Sequence, residues 1–263
     1  MRSVRILFVG DVVGRPGRDA LEALLPRLRA EHEIDACVVN GENAADGVGI
    51  TPRLAEQLLA AGADAITLGN HTWRRPEIAG YLGSAERVVR PANMATTMPG
   101  RGLAVVTLAG GGRLAVINVL GSLFMEPAHS MWELIDALVD EARAETPVVV
   151  VDVHGEATSE KVALATWLDG RVTAVLGTHT HVQTSDARVL PGGTAAITDV
   201  GMTGPHDSVI GVRSELAITR MRTGAPVRFE TAAGGVRLEG ALVSCDPETG
   251  RETAIDAVRL PWP

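Results

Sequence analysis

The residues with chemical capacity in this chain stand at the ends of short apolar runs. Ala174, Val175 and Leu176 stop at Gly177, and His179 and His181 follow, two residues apart. Side chains two apart on extended backbone point to the same side, so this pair can converge on one small object. A metal ion is the natural object, although a His-x-His pair taken alone reads as readily as two solvated loop histidines. The arrangement recurs along the chain. Val4–Val9 leads into Gly10-Asp11, Ala36–Asn40 into Gly41-Glu42-Asn43, residues 65–69 into Asn70-His71, and the strongest strand signal, residues 147–153, into His154-Gly155-Glu156. One such ending is noise; several on one edge of a parallel sheet, where α/β proteins open their crevice, are hard to explain as packing. Asp11 also reads as a helix N-cap.

Asp, Glu, Asn and three His make a mixed oxygen and nitrogen set without thiolate, suited to Fe, Mn or Zn at sites that keep positions open for water. They are too many for one catalytic zinc, and two ions sharing a carboxylate use them economically. Ions roughly 3.5–4 Å apart form the standard clamp for in-line displacement at phosphorus, and acidified water supplies hydroxide at neutral pH.

The positioning elements read as βα units. A helix is expected over residues 19–31 after a glycine-rich turn at 14–18, a second over 52–61, a third over 131–144 and a fourth from about Ser159. A dinucleotide fingerprint at the first turn fails on spacing, because Val12 stands where G-x-G-x-x-G needs its second glycine. Residues 103–108 and 114–119, split by Gly110-Gly111-Gly112, predict an antiparallel hairpin. Beyond His181 the chain reads as β-rich, with strands over 194–200, 215–221, 227–231 and 236–243 making a second sheet packed on the first. The loop 201–208 could hang over the site, with His206 as a substrate contact or a plain surface histidine.

The 263 residues suffice for one large core, and without a linker or low-complexity tract one domain over 1–263 is the default. A formal charge of −8 argues against an extended nucleic-acid surface. Lys161 is the only lysine among 24 lysines and arginines. Cys37 and Cys245 form no ligand spacing and suggest a reduced, cytoplasmic protein. Only Met1-Arg2-Ser3 precedes the first strand, and no apolar run approaches the ~18 residues of a membrane span. Self-association into a homo-oligomer stays open at this level.

These residues resemble the calcineurin-like metallophosphoesterases, and within them the YmdB-like branch. The general pattern of Asp-x-His, Gly-Asp, Gly-Asn-His, a lone His and Gly-His-x-His is matched by Gly10-Asp11-Val12-Val13, Gly41-Glu42-Asn43, Gly69-Asn70-His71, His154-Gly155 and Gly177-Thr178-His179-Thr180-His181. Thr203-Gly204-Pro205 with Asp207-Ser208-Val209-Ile210-Gly211 looks like the branch's own signature. Two positions depart from the general pattern: Val13 replaces the first-motif histidine and Glu42 the bridging aspartate, so Asn43 would have to supply its amide oxygen. The resemblance implies an α/β fold of two facing mixed β-sheets flanked by helices, a four-layer α/β/β/α arrangement. It implies a first metal on Asp11, Glu42, Asn43 and His181 and a second on Glu42, Asn70, His154 and His179, with Glu42 bridging and His71 as general acid. Iron is the implied ion, manganese the alternative, and 2′,3′-cyclic nucleotides or simple phosphodiesters the implied substrates. Two rivals follow from the same scaffold: a regulatory metalloprotein influencing RNA turnover through partners, and a phosphomonoesterase or nucleotidase.

Overall fold

The computed structural model describes residues 2–108 and 110–263; Met1 of the leading tripeptide lies outside them. In chain order the elements are β1 (Val4–Val9), β2 (Asp11–Val12), α1 (Gly14–Glu31), β3 (Ala36–Asn40), α2 (Pro52–Ala60) and β4 (Ala65–Thr67). A 3-10 turn (Thr72–Arg74) then leads to α3 (Ile78–Leu82), β5 (Val88–Val89), β6 (Leu103–Thr107), β7 (Arg113–Leu120), α4 (Ile135–Glu145), β8 (Val149–His154) and α5 (Thr158–Trp167). The chain closes with β9 (Ala174–Thr178), β10 (Arg188–Val189), β11 (Ala195–Ile197), β12 (Met202–Pro205), α6 (Ser214–Thr223), β13 (Val236–Cys245) and β14 (Glu252–Pro261).

Eight strands form the first sheet. In it β1, β3, β4 and β5 run parallel, and β13 pairs antiparallel with β1, β12 and β14. The second sheet runs β10-β11-β9-β8-β7-β6, with β7, β8, β9 and β11 parallel. Three apolar cores separate four layers. Ile6, Phe8, Val38, Val116, Val150 and Leu176 meet between the two sheets. Leu21, Leu25, Leu54 and Leu58 of α1 and α2 pack on the outer face of the first sheet, and Ile135, Val139, Leu164 and Leu168 of the α4–α5 region on that of the second. A strand buried on both faces reads as a continuous apolar run, and β8 is the clearest example.

The hairpin of β6 and β7 forms as the glycine-separated runs predict. Elsewhere the chain departs from its sequence reading. The second sheet is not made by the C-terminal third: it is built from residues 103–197, while β12, β13 and β14 return to the first. Residues 215–221 lie in α6, not a strand, and only Ala217 of that helix is buried. Ile218 and Met221 are exposed, so α6 carries no apolar stripe from which a helical period could be read. The run 194–200 shortens to β11, and 227–231 contributes only a bridge between Thr231 and Val212. The first helix begins at Gly14 rather than near Asp19. Gly17 is a close-approach residue inside that helix: a Cβ there would lie 2.2 Å from the Thr203 carbonyl oxygen on β12.

Among the described residues, no helix is long and apolar enough to cross a membrane. Cys37 is buried, and burial pushes its thiol up to about 12.

Candidate metal centre

The strand ends of both sheets bring Asp11, Glu42, Asn43, Asn70, His71, His154, His179 and His181 to one rim. Asp11, Glu42 and His154 are fully buried, Asn43 nearly so. Their polar atoms form two clusters. In the first, the Asn43 amide nitrogen lies 3.3 Å from Asp11 Oδ1, 3.3 Å from Glu42 Oε1 and 3.1 Å from His181 Nε2. Three acceptors thus converge on one donor, which is where a cation fits. Amide oxygen and nitrogen exchange places by a half-turn, and an inverted Asn43 adds its oxygen to that set. In the second, His154 Nε2 lies 3.0 Å from Asn70 Oδ1, 3.1 Å from His179 Nδ1 and 3.2 Å from Glu42 Oε1. Glu42, His154 and His179 each offer a ligand atom within 4.8 Å of the others. Glu42 Oε1 belongs to both clusters.

The electrostatics follow from crowding buried carboxylates and imidazoles together. Burial opposes charge on His154, but Glu42, backed by Asp11 and Asp152, outweighs it and lifts the ring to about 9. His179, buried beside that cation, is pulled down to about 4. Burial likewise works against charge on Glu42, yet His154 and His71 hold the carboxyl well below the usual carboxylate range. Asp11 is lowered in the same way against its burial, chiefly by His181. Carboxylate, amide and imidazole at this spacing are donor types that suit a transition metal with oxygen and nitrogen ligands.

Asp11 does not cap α1, since the N-cap is Val13 and no side chain bonds there. Instead Asp11 Oδ2 accepts the His179 backbone N–H at 3.1 Å. His179 and His181 converge on the rim by a route different from the extended one: they lie past the end of β9 at φ 99° and 64°, and they serve different clusters. Left-handed backbone at non-glycine residues costs of order 1–3 kcal/mol each and persists only where surroundings over-determine it. Here they do. Asp199 Oδ2 accepts from Thr180 N at 3.1 Å and Thr180 Oγ1 at 2.8 Å, and buried Lys161 bridges Asp199 Oδ2 at 3.0 Å and the Thr178 carbonyl at 2.8 Å.

His154 is oriented from behind. Its Nδ1 lies 2.8 Å from Thr178 Oγ1, which donates to buried Asp152 at 2.6 Å, and Asn40 donates to the same carboxylate at 3.2 Å. That chain places the Nδ1 proton toward Thr178 and frees Nε2 for a ligand role. Burial lifts Asp152 to about 6. Sequence reasoning passed over Asp152, Asn40, Thr178, Lys161 and Asp199 as functional groups. A carboxylate breaking an apolar run two residues before His154, and a lone lysine, were the available signals; Asp199 gave none.

His71 stands beside both clusters. Its backbone N–H donates to Glu42 Oε2 at 2.9 Å and its Nδ1 lies 2.8 Å from Asn43 Oδ1, while Nε2 takes no partner among the described residues. His206 sits elsewhere: residues 202–205 are the buried strand β12 rather than an overhanging loop, and His206 Nε2 donates to Met202 O at 3.2 Å. The segment behind it does reach the rim, where the Ile210 carbonyl lies 2.9 Å from His181 Nδ1.

Gly69 shows how tightly the rim is built. A Cβ there would lie 2.2 Å from Glu42 Oε2 and 2.4 Å from His154 Nε2. Gly69→Ala should therefore displace both ligands, costing metal content and, by the usual penalty for misplacement near 1 Å, about 10²-fold or more in activity. Elemental analysis of the folded variant checks this; full metal content with parental turnover would show a more forgiving rim.

Known proteins resemble this chain along nearly its whole length. Residues 7–258 match the family model described as YmdB-like protein. The chain is 47% identical over 257 residues, covering 98% of itself and 97% of the relative, to the 2′,3′-cyclic-nucleotide 2′-phosphodiesterase of Bacillus subtilis (strain 168). A hypothetical protein from Thermus thermophilus superposes with a TM-score of 0.91 at 43% identity, over 99% of this chain and 100% of that one. A novel phosphatase from Mycoplasma pneumoniae superposes at 0.90 with 34% identity, over 99% and 95%. Coverage is end to end in each case, so what matches is the whole architecture around the rim, and the chain belongs to the YmdB-like family of metallophosphoesterases.

Proposed function

We propose that this chain, a phosphoric diester hydrolase by its family, hydrolyses 2′,3′-cyclic nucleotides and simple phosphodiesters at a two-metal centre, with iron as the ion and manganese as the alternative. The observation that carries the reading is Glu42 Oε1, common to two convergent donor clusters that together contain every candidate ligand. Asp11, Glu42, Asn43 and His181 would hold the first ion, and Glu42, Asn70, His154 and His179 the second. Ions bound there would neutralise charge on phosphoryl oxygens and acidify water.

The chain's own residues supply the rest. Asp152, Thr178 and Asn40 fix the tautomer of His154, and the Lys161–Asp199 pair fixes the backbone that presents His179 and His181. His71, held from behind by Asn43 and Glu42, directs Nε2 outward and delivers a proton to the ester oxygen that leaves. Following the Bacillus subtilis relative's name, that oxygen is the 2′ one, and the product keeps its phosphate on the 3′ oxygen.

The test is a three-substrate assay on iron- or manganese-loaded protein. A 2′,3′-cyclic nucleotide should be turned over faster than a 3′,5′-cyclic nucleotide or a phosphate monoester. Preference for the monoester would favour the phosphatase alternative. Silence on all three would favour a regulatory metalloprotein.

A further inference from the structure

A cleft of about 450 Å³ opens beside the candidate metal centre, and of the residues assigned to metal or proton chemistry only Asn70 lines it. Three segments make its walls. The 3-10 turn after His71 contributes Trp73 and Arg74, the stretch before β6 contributes Met94 and Met98, and the loop after β7 contributes Phe124 and Met125.

These walls are built rather than incidental. Buried Asn93 donates to the carbonyls of Leu120 at 2.7 Å and His129 at 3.1 Å and accepts Leu120 N at 2.8 Å, tying the second wall to both ends of the third. Buried Arg90 donates to the carbonyls of Pro91, Met98 and Pro99 at 2.8, 3.1 and 2.9 Å. Glu160 accepts Ser122 N and Leu123 N, each at 2.9 Å, and so fixes the chain just ahead of Phe124. Phe124 is 89% exposed at φ 64°, which is costly backbone for an aromatic residue. A ring that served packing would be turned inward; this one is held out, at the mouth of a cleft with methionine thioethers.

The geometry points to this cleft as the nucleobase subsite, with the base stacked on the Phe124 ring while the phosphate lies at the metal centre. The inference rests on the phosphodiesterase reading for where the phosphate sits, and it adds the group that sets a nucleotide apart from other small cyclic diesters. The volume falls within the ordinary range of ligand sites, roughly 300–1,000 Å³. Asn70 lines the cleft and lies 3.0 Å from His154 Nε2, so cleft and second cluster adjoin. An aromatic face accepts any base, because every base has a π-face, and thioethers adapt to its edge.

The test compares binding of adenosine 3′-monophosphate with that of inorganic phosphate to the manganese-loaded full chain by calorimetry. The nucleotide should bind tighter than phosphate by about tenfold to a hundredfold, the range for stacking one base on one ring. Phe124→Ala should remove that advantage and Phe124→Trp keep it. Equal binding of the two compounds by the parent, or an advantage that survives Phe124→Ala, overturns the subsite. An advantage that depends on Phe124 in a protein that hydrolyses no phosphodiester would uphold the subsite and sink the phosphodiesterase reading instead.

Discussion

His71→Ala is expected to lower turnover of a 2′,3′-cyclic nucleotide by roughly 10²–10⁴, the usual worth of a positioned general acid, with metal content unchanged. The separation of effects follows from how His71 is held. Its ring contacts Glu42 Oε1 at 3.2 Å, but its backbone N–H also donates to Glu42 Oε2, and alanine keeps that bond. What alanine loses is the ring whose Nδ1 rests on Asn43 and whose Nε2 has no partner among the described residues. A sugar alkoxide needs a proton as it leaves and a nitrophenolate does not, so the loss should be smaller for bis-p-nitrophenyl phosphate. His179→Ala is the contrast, since it removes a donor from the second cluster and should lose metal. Parental turnover in His71→Ala, or a loss of ions equal to that in His179→Ala, would remove His71 from the role of acid.

The second large effect is expected from Lys161→Met. Lys161 and Asp199 are 3% and 1% exposed and 3.0 Å apart, and removing one partner strands the other charge in the interior. Breaking such a pair typically costs about 3–5 kcal/mol, whereas replacing both by apolar groups is often neutral. Denaturant unfolding should therefore show a heavily destabilised single variant and recovery in Lys161→Met/Asp199→Leu. Metal content should not recover in parallel, because the double variant still lacks the acceptor for Thr180 and the donor to Thr178 that hold His179 and His181 in left-handed backbone. Recovery of both would make the pair a matter of stability alone. Lys161→Arg should fail as well: the Lys161 side chain passes within 2.9 Å of where a Gly177 Cβ would be, and a planar guanidinium is wider than an ammonium.

The rim was legible in the sequence because its candidate ligands are local to strand ends. The strands that deliver these residues announce themselves by an apolar run with a glycine beside its end, and the polar residue types there are visible without knowing any pairing. What escaped is what depends on distant pairing. Residues 236–243 read as a strand, which the structure extends to Cys245, yet its neighbours, residues 4–9 and 252–261, are set by registers no local pattern encodes. Asp152 lies inside the strongest strand signal, and its link through Thr178 to His154 appears only once β8 and β9 pair. α6 was missed for a different cause, since a helix with one buried residue has no face to betray it. Gly17 was read for its freedom to turn, whereas its use is to let a helix lie on the Thr203 carbonyl.

The long-range pairing of β13 bears on biosynthesis. Every donor from Asp11 to His181 leaves the ribosome before residues 236–245, which pair with β1 and with β12, the strand that in turn pairs with β2 at Asp11. A nascent chain thus exposes its full set of carboxylates and imidazoles while the strand that sets their framework is still being translated. Contacts of such large sequence separation form late, and a cage absent from the unfolded chain cannot choose its cation. On the two-metal reading, the choice of ion would fall to the cage completed by β13 and not to the nascent segments that carry its donors.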